Sequence, residues 1–271
     1  MIPCINQATV MKADTIRFIE SAGRNSFPQI ELDIDRLEAS IKKDGLPKVR
    51  AALKETGVKV LSLNAIDNYP IMTEVEMSTS LKRSDQVLEL CNNVQCGILV
   101  VNPANFRSSA EEKIVENRFD LFIDQVNDLS KKRGVRIGYE YVSYNDKVVN
   151  TLKKSLDGLQ RWSSGIDLVL DVFHMYRSSE TIVDLPSNMM ERLLAFHVND
   201  APDIKIEKVV DTDRVMPLDG VIGVRHYIMA LKERGYSGPV SLELFNQDYW
   251  AKDVDEVVQM SKESLNRLLD D

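Results

Sequence analysis

Gly165-Ile-Asp-Leu-Val-Leu-Asp171 runs directly into Val172, Phe173 and His174. A short apolar run that ends on a carboxylate, with an imidazole three residues later, reads as a buried strand whose C-terminal end opens into a site. The pattern recurs three times. Val135-Arg-Ile-Gly-Tyr-Glu140, Leu193-Leu-Ala-Phe-His197 and Pro239-Val-Ser-Leu-Glu243 finish on Glu, His and Glu. Burial of apolar surface gives no reason for those last residues, because a buried polar group costs free energy unless it is partnered.

Outward from these four runs, strand-like segments at residues 3–9, 27–32, 58–63 and 97–101 complete a set of eight. Helical periodicity fills the spaces between them, at residues 12–22, 35–55, 78–92, 110–132, 148–162, 224–235 and 254–269, with a weak helix at 187–193. The 35–55 segment breaks near Gly45-Leu46-Pro47, where Gly and Pro stop a helix. Residues 64–70 and 199–223 read as loops. Strict alternation implies parallel strands joined by right-handed crossovers. Eight units in 271 residues fit an α/β fold of the closed (β/α)₈ TIM-barrel type. An open doubly wound sheet would carry a glycine-rich phosphate fingerprint after its first strand, and none is present. With no linker or composition shift, residues 1–271 are expected to form a single TIM-barrel domain.

The bulk numbers agree. A hydrophobic content of 44% supports a sizeable core. A formal net charge of -8 repels phosphate backbones, so the chain is expected to have no nucleic-acid partner. Cys4, Cys91 and Cys96 are odd in number and lack metal-type spacing, which reads as reduced, buried thiols. No leader pattern opens the chain, and no apolar run nears the ~20 residues a membrane span needs. A cytoplasmic protein with no membrane contact is expected. Sequence leaves a homo-oligomer open.

In a barrel the C-terminal strand ends converge on one face, so Glu140, Asp171, His197 and Glu243 would point to a common centre. Three carboxylates and one imidazole suit one divalent metal ion, whether Mn²⁺, Mg²⁺, Co²⁺ or Zn²⁺. Without a cation the carboxylates would raise one another's pKa.

Several stretches carry a resemblance. Asp171-Val-Phe-His174, His197-Val-Asn-Asp200, Asp213-Arg214-Val-Met-Pro217-Leu-Asp-Gly220 and Ser241-Leu-Glu243-Leu-Phe245 resemble the xylose-isomerase-like sugar epimerases and isomerases. Within them, the inosose isomerase type of inositol catabolism is the nearest match. Asn6-Gln-Ala-Thr9, Leu63-Asn-Ala65 and Glu243-Leu-Phe-Asn-Gln-Asp-Tyr249 are similar to that group too. The resemblance implies a metal held by Glu140, Asp171, His197 and Glu243. It implies His174 facing the substrate or a partner of the metal ligands, and Arg214 contacting a substrate oxygen. One departure stands out. Members commonly carry Pro-Gly-x-Gly after that arginine, and Leu218 replaces the first glycine, where it restricts the backbone if the loop uses positive φ.

Proton-transfer isomerisation of a hydroxy-ketone needs a base, an electrophile for the enediolate and an acid. A divalent ion supplies the electrophile. Glu140 and Glu243, three strands apart in the ring, are candidates for the base and acid as well as for metal ligands. The expected activity is a divalent-metal-dependent isomerase or epimerase of a small-molecule keto-sugar or cyclitol (an inosose). Inosose dehydratase and hydroxypyruvate-type isomerase begin with the same proton removal and remain as alternatives. An abasic-site endonuclease of the same superfamily uses a histidine-rich three-metal cluster, which three histidines and an acidic surface disfavour. A barrel kept as a non-catalytic scaffold has no reason to retain all four ligands. Arg214 could instead be a surface group paired with Asp213 or Asp219, and His174 a structural histidine. Tyr69, Phe106, Tyr141 and Trp250 follow strand ends and either wall a sugar ring or pack. Asp200 either orients a ligand or caps its loop, and His226 reads as surface.

Overall fold

The computed structural model describes residues 1–270. Eight parallel strands close into one barrel in sequence order: β1 (Ile2–Asn6), β2 (Gln29–Asp33), β3 (Lys59–Ile66), β4 (Ile98–Val101), β5 (Arg136–Glu140), β6 (Ile166–Asp171), β7 (Leu193–Val198) and β8 (Pro239–Leu242). Helices α1 (Thr15–Arg24), α2 (Ile34–Asp44), α3 (Leu46–Thr56), α4 (Glu74–Asn93), α5 (Ser109–Arg133), α6 (Leu152–Arg161), α7 (Val172–Arg177), α8 (Val224–Glu233), α9 (Gln247–Trp250) and α10 (Val254–Leu269) occupy the connections. The expected (β/α)₈ barrel is the fold observed.

Strand alternation decides what faces inward. Tyr139 of β5 packs outward, its ring 5.9 Å from Phe119 of α5 and 4.9 Å from Trp162. Gly138 and Glu140 therefore point into the barrel. A Cβ on Gly138 would lie 2.9 Å from Val169 and 3.2 Å from Ile98, so the barrel is filled at that height and only glycine fits. Ile98, Val100, Val169, Leu194 and Ala195 form this small inner plug, separate from the large apolar layer between strands and helices. Below the plug, Asp167 binds Arg136 at 2.6 Å and Arg192 at 3.3 Å. Above it the lining turns polar.

Element boundaries differ from the sequence reading where side chains cap. The first strand stops at Asn6 rather than residue 9, because the Asn6 side chain accepts from Ala8 N and starts a 3-10 turn over Gln7–Val10. Thr9 then ties that turn to the end of β8 through Leu242 O and Leu244 N. The first helix starts at Thr15, capped by Asp14, and the helix expected at 148–162 starts at Leu152, capped by Thr151. The weak helix at 187–193 is a 3-10 turn over Ser187–Arg192. The expected break at Gly45 is present, with φ 88° there and Pro47 in the first turn of α3. A short helix, α7, follows Asp171 without any intervening loop.

The 199–223 segment is an ordered loop built on Asp200. Its Oδ1 accepts from Ala201 N (2.9 Å) and Ile222 N (2.8 Å), and its Oδ2 accepts from Leu218 N (3.1 Å). Asp200 thus caps the loop instead of orienting a ligand. Leu218 does take positive φ, at 78°, in the left-handed region that glycine would adopt more easily. Gly220 has no such freedom of replacement, since a Cβ there would sit 2.2 Å from Ala201 O. Gly220→Ala is expected to cost about 1–3 kcal/mol through overpacking, lowering Tm by roughly 2–10 °C in a thermal melt.

Candidate metal centre

The polar end of the barrel is assembled from neighbouring strands in register. Asp171 of β6 lies beside His197 of β7, and His197 lies beside Ser241 of β8. Glu243 follows β8 directly, its N–H bonded to Val198 O at 3.1 Å. Glu140 ends β5. One donor atom from each of Glu140, Asp171, His197 and Glu243 lies within 4.8 Å of all the others, and all four residues are buried. The structure therefore brings together the whole quartet that the sequence singled out. Of the three histidines, His197 alone belongs to it; His226 is exposed on α8, as expected.

His197 is gripped from behind. Its Nε2 lies 3.1 and 3.3 Å from the two oxygens of Glu31, a fully buried acid of β2. That contact holds a proton on Nε2 and turns Nδ1 inward, 2.9 Å from Glu140 Oε1 and 3.5 Å from Glu243 Oε2. Ser62 Oγ and Asn64 Nδ2 both donate to Glu31 Oε2. Glu31 was not evident from sequence. It stands inside its apolar strand rather than at the end, and the one signal was a lone acid between Ile30 and Leu32.

Arg214 reaches in from the 199–223 loop and is 1% exposed. Its Nη1 donates to Asp171 Oδ2 at 2.6 Å and to Glu243 Oε2 at 2.8 Å, and Nη2 donates to Asp211 Oδ1 at 2.5 Å. The guanidinium lies between Phe173 and Phe245, at 4.6 and 5.1 Å from their ring centres. The surface pairing with Asp213 or Asp219 does not occur. Asp213 instead caps a turn through Val210 N, and Asp219 faces Arg267. His174 is also buried. Its Nε2 lies 3.4 Å from Arg214 Nη2 and its Nδ1 3.2 Å from Ser143 Oγ, so it abuts the arginine. The aromatics divide as packing groups: Tyr69 stacks on Phe122, Tyr141 bonds Ser178 and Glu180, Trp250 donates to Ala8 O, and Phe106 packs against the core.

The charge balance shows in the proton affinities. Burial, with Glu243 and Asp171 nearby, outweighs the pull of His197 and pushes Glu140 up to about 7. Burial opposes a charge on His197, yet Glu31, Glu243 and Glu140 raise its pKa well above the usual value. Burial also works against the Glu31 carboxylate, but His197 holds it down to about 2. Glu243 is lowered in the same way, against burial, by His197 and Arg214. Burial lowers His174 to about 4, leaving it neutral beside Arg214.

The residues fit a divalent ion. The donors are three carboxylate oxygens and one imidazole nitrogen. Glu140 Oε1 and His197 Nδ1 are buried and face each other at 2.9 Å, sharing a proton. With that proton displaced both are acceptors aimed into one centre, which suits a divalent cation.

The model of the Xylose isomerase-like TIM barrel family matches residues 16–268, and the chain belongs to that family. An inosose isomerase of Halalkalibacterium halodurans is 25% identical over 268 residues, spanning 96% of this chain and 94% of that protein. A 3-dehydroshikimate dehydratase of Pseudomonas aeruginosa is 25% identical over 256 residues, 90% of this chain and 38% of that protein. A solved structure of the IolI protein with a bound zinc atom has a TM-score of 0.89 at 23% identity, covering 99% of this chain and 98% of that one.

Arg214 is the cation in contact with both Asp171 and Glu243. Removing one partner of such buried charges costs about 3–5 kcal/mol. Arg214→Leu is therefore expected to lower Tm by about 10 °C when melted in the presence of chelator.

Proposed function

We propose that this protein is a divalent-metal-dependent isomerase or epimerase of a keto-sugar or keto-cyclitol of the inosose kind. The convergence of Glu140, Asp171, His197 and Glu243 at the C-terminal end of the barrel carries the reading. Family membership, the inosose isomerase relatives and the zinc in the IolI structure support it.

A divalent ion held by these four residues would supply a Lewis acid for the oxygens of a hydroxy-ketone. The protein's own groups do the rest. Glu31 keeps His197 in the tautomer that turns Nδ1 inward. Arg214, fixed between two phenylalanine rings, holds Asp171 and Glu243 in place. Glu140 and Glu243 stand on strands separated by two others, on opposite sides of His197, and their proton affinities are pushed apart. Such a pair suits base and acid work. Glu140 and Glu243 are the candidates for the base that takes the proton from the carbon beside the carbonyl and for the acid that returns one to the neighbouring carbon.

A dehydratase shares the first step, and the 3-dehydroshikimate dehydratase relative favours keeping that reading as second. Proton NMR in D₂O separates the two. With Mn²⁺ or Co²⁺ and a panel of keto-sugars and inososes, one compound is expected to lose its α-proton signal, and chelator is expected to stop the loss. The products then distinguish isomer, epimer and dehydrated ketone. Glu140→Gln and Glu243→Gln are each expected to abolish the exchange, and wild-type exchange in either variant removes that residue from the proton transfer.

Binding of the ion should also show in stability. At a hundredfold excess over its Kd a ligand adds about 2.7 kcal/mol, which corresponds to a rise in Tm of roughly 5–10 °C. Equal melting temperatures with Mn²⁺ and with chelator would count against a metal site.

A further inference from the structure

Each carboxylate of the quartet meets an asparagine amide. Asn6 of β1 donates from Nδ2 to Glu243 Oε1 at 2.9 Å. Asn102, just after β4, donates to Glu140 Oε2 at 3.4 Å. Asn199, just after β7, donates to Asp171 Oδ1 at 3.0 Å. In every case the amide takes one carboxylate oxygen, shared at Asp171 with the Phe173 N–H at 2.7 Å, and leaves the other facing inward. Glu243 turns Oε2 towards His197 and Arg214, Glu140 turns Oε1 towards His197, and Asp171 turns Oδ2 towards Arg214.

Packing alone does not account for these amides. Asn102 and Asn199 are buried, and the Oδ1 of each has no hydrogen-bond partner. A buried, unpaired acceptor is costly, and an apolar residue of similar shape would avoid that cost. What each amide gains in return is its bond to the carboxylate. With Arg214 already on Asp171 and Glu243, a further cation in place of each amide would hold the oxygen too, but it would cancel the remaining charge that attracts a metal ion. A neutral N–H donor fixes the oxygen and leaves most of the charge.

We propose that Asn6, Asn102 and Asn199 are positioning residues that force Glu243, Glu140 and Asp171 each to present a single oxygen to a divalent ion. The site then offers three carboxylate oxygens and one imidazole nitrogen. This inference rests on the metal-dependent reading above.

The test uses metal-free full-length protein titrated with Co²⁺, with affinity read by calorimetry and coordination by the visible absorption of the bound ion. The variants are Asn6→Ser, Asn102→Leu and Asn199→Leu. Serine at position 6 retains an oxygen that can accept from Ala8 N but is too short to reach Glu243. Each variant is expected to bind Co²⁺ ten- to a hundredfold more weakly. Its absorption bands should also change in position or intensity, because the released carboxylate can bind through both oxygens. A residue that only supports the fold would leave the spectrum of the bound ion unchanged. Melting in chelator checks folding, and Asn102→Ser and Asn199→Ser replace any leucine variant that does not fold. Wild-type affinity and spectrum in the folded variants would overturn the proposal while leaving the metal site intact. Absence of Co²⁺ binding by the wild-type protein would overturn both.

Discussion

Four carboxylates share one buried space at the top of the barrel, and the surrounding structure is arranged around their mutual repulsion. Glu31, Glu140, Asp171 and Glu243 are all within reach of His197 or Arg214. In a low-dielectric interior, uncompensated like charges of this number would not stay ionised. His197 and Arg214 provide the positive counterweight, and amide donors hold the remaining oxygens. A divalent ion would complete the balance, and the donor set has the composition to bind one.

Holding Arg214 in that position shapes the longest loop of the chain. The arginine enters between Phe173 and Phe245, and Asn246 Nδ2 bonds its backbone oxygen at 3.0 Å. Asp211 bonds its outer nitrogen and also accepts from Tyr144 OH at 2.6 Å, joining the loops after β5 and β7 across the mouth. Arg177 adds a further tie, with its guanidinium 4.7 Å from the Tyr144 ring centre and bonded to Val209 O. Asp200 organises the base of the same loop. The loop is thus a scaffold for one side chain, and Leu218 accepts an unfavourable φ within it.

The barrel interior separates stability from chemistry by height. Ion pairs around Asp167 close the lower end, a small apolar plug fills the middle, and the titratable groups stand above it. Parallel strands in register make this layering possible, because inward positions of neighbouring strands recur at shared heights. Gly138 shows how tightly the middle layer is filled, just below Glu140.

Residues at strand ends were legible in the sequence because an apolar run ending on Asp, Glu or His breaks the logic of burial locally, and alternation with helices fixes where such ends meet. Glu140, Asp171, His197 and Glu243 were recoverable on those grounds, as was the (β/α)₈ barrel. Side chains that act across the barrel left little local trace. Glu31 sits within its strand, and its importance depends on His197, which is 166 positions away. Arg214 was legible as a loop arginine but not as a buried group facing Asp171 and Glu243, because its loop has no periodicity to orient it. His174 was expected to face the substrate or a partner of the ligands, and the structure sets its ring against Arg214. The sequence by itself determined the alternation, the closed sheet and the identity of the four converging groups, all properties of short segments. Tertiary structure alone decided which carboxylate meets which partner, because partner choice depends on strands and loops brought together only when the barrel closes.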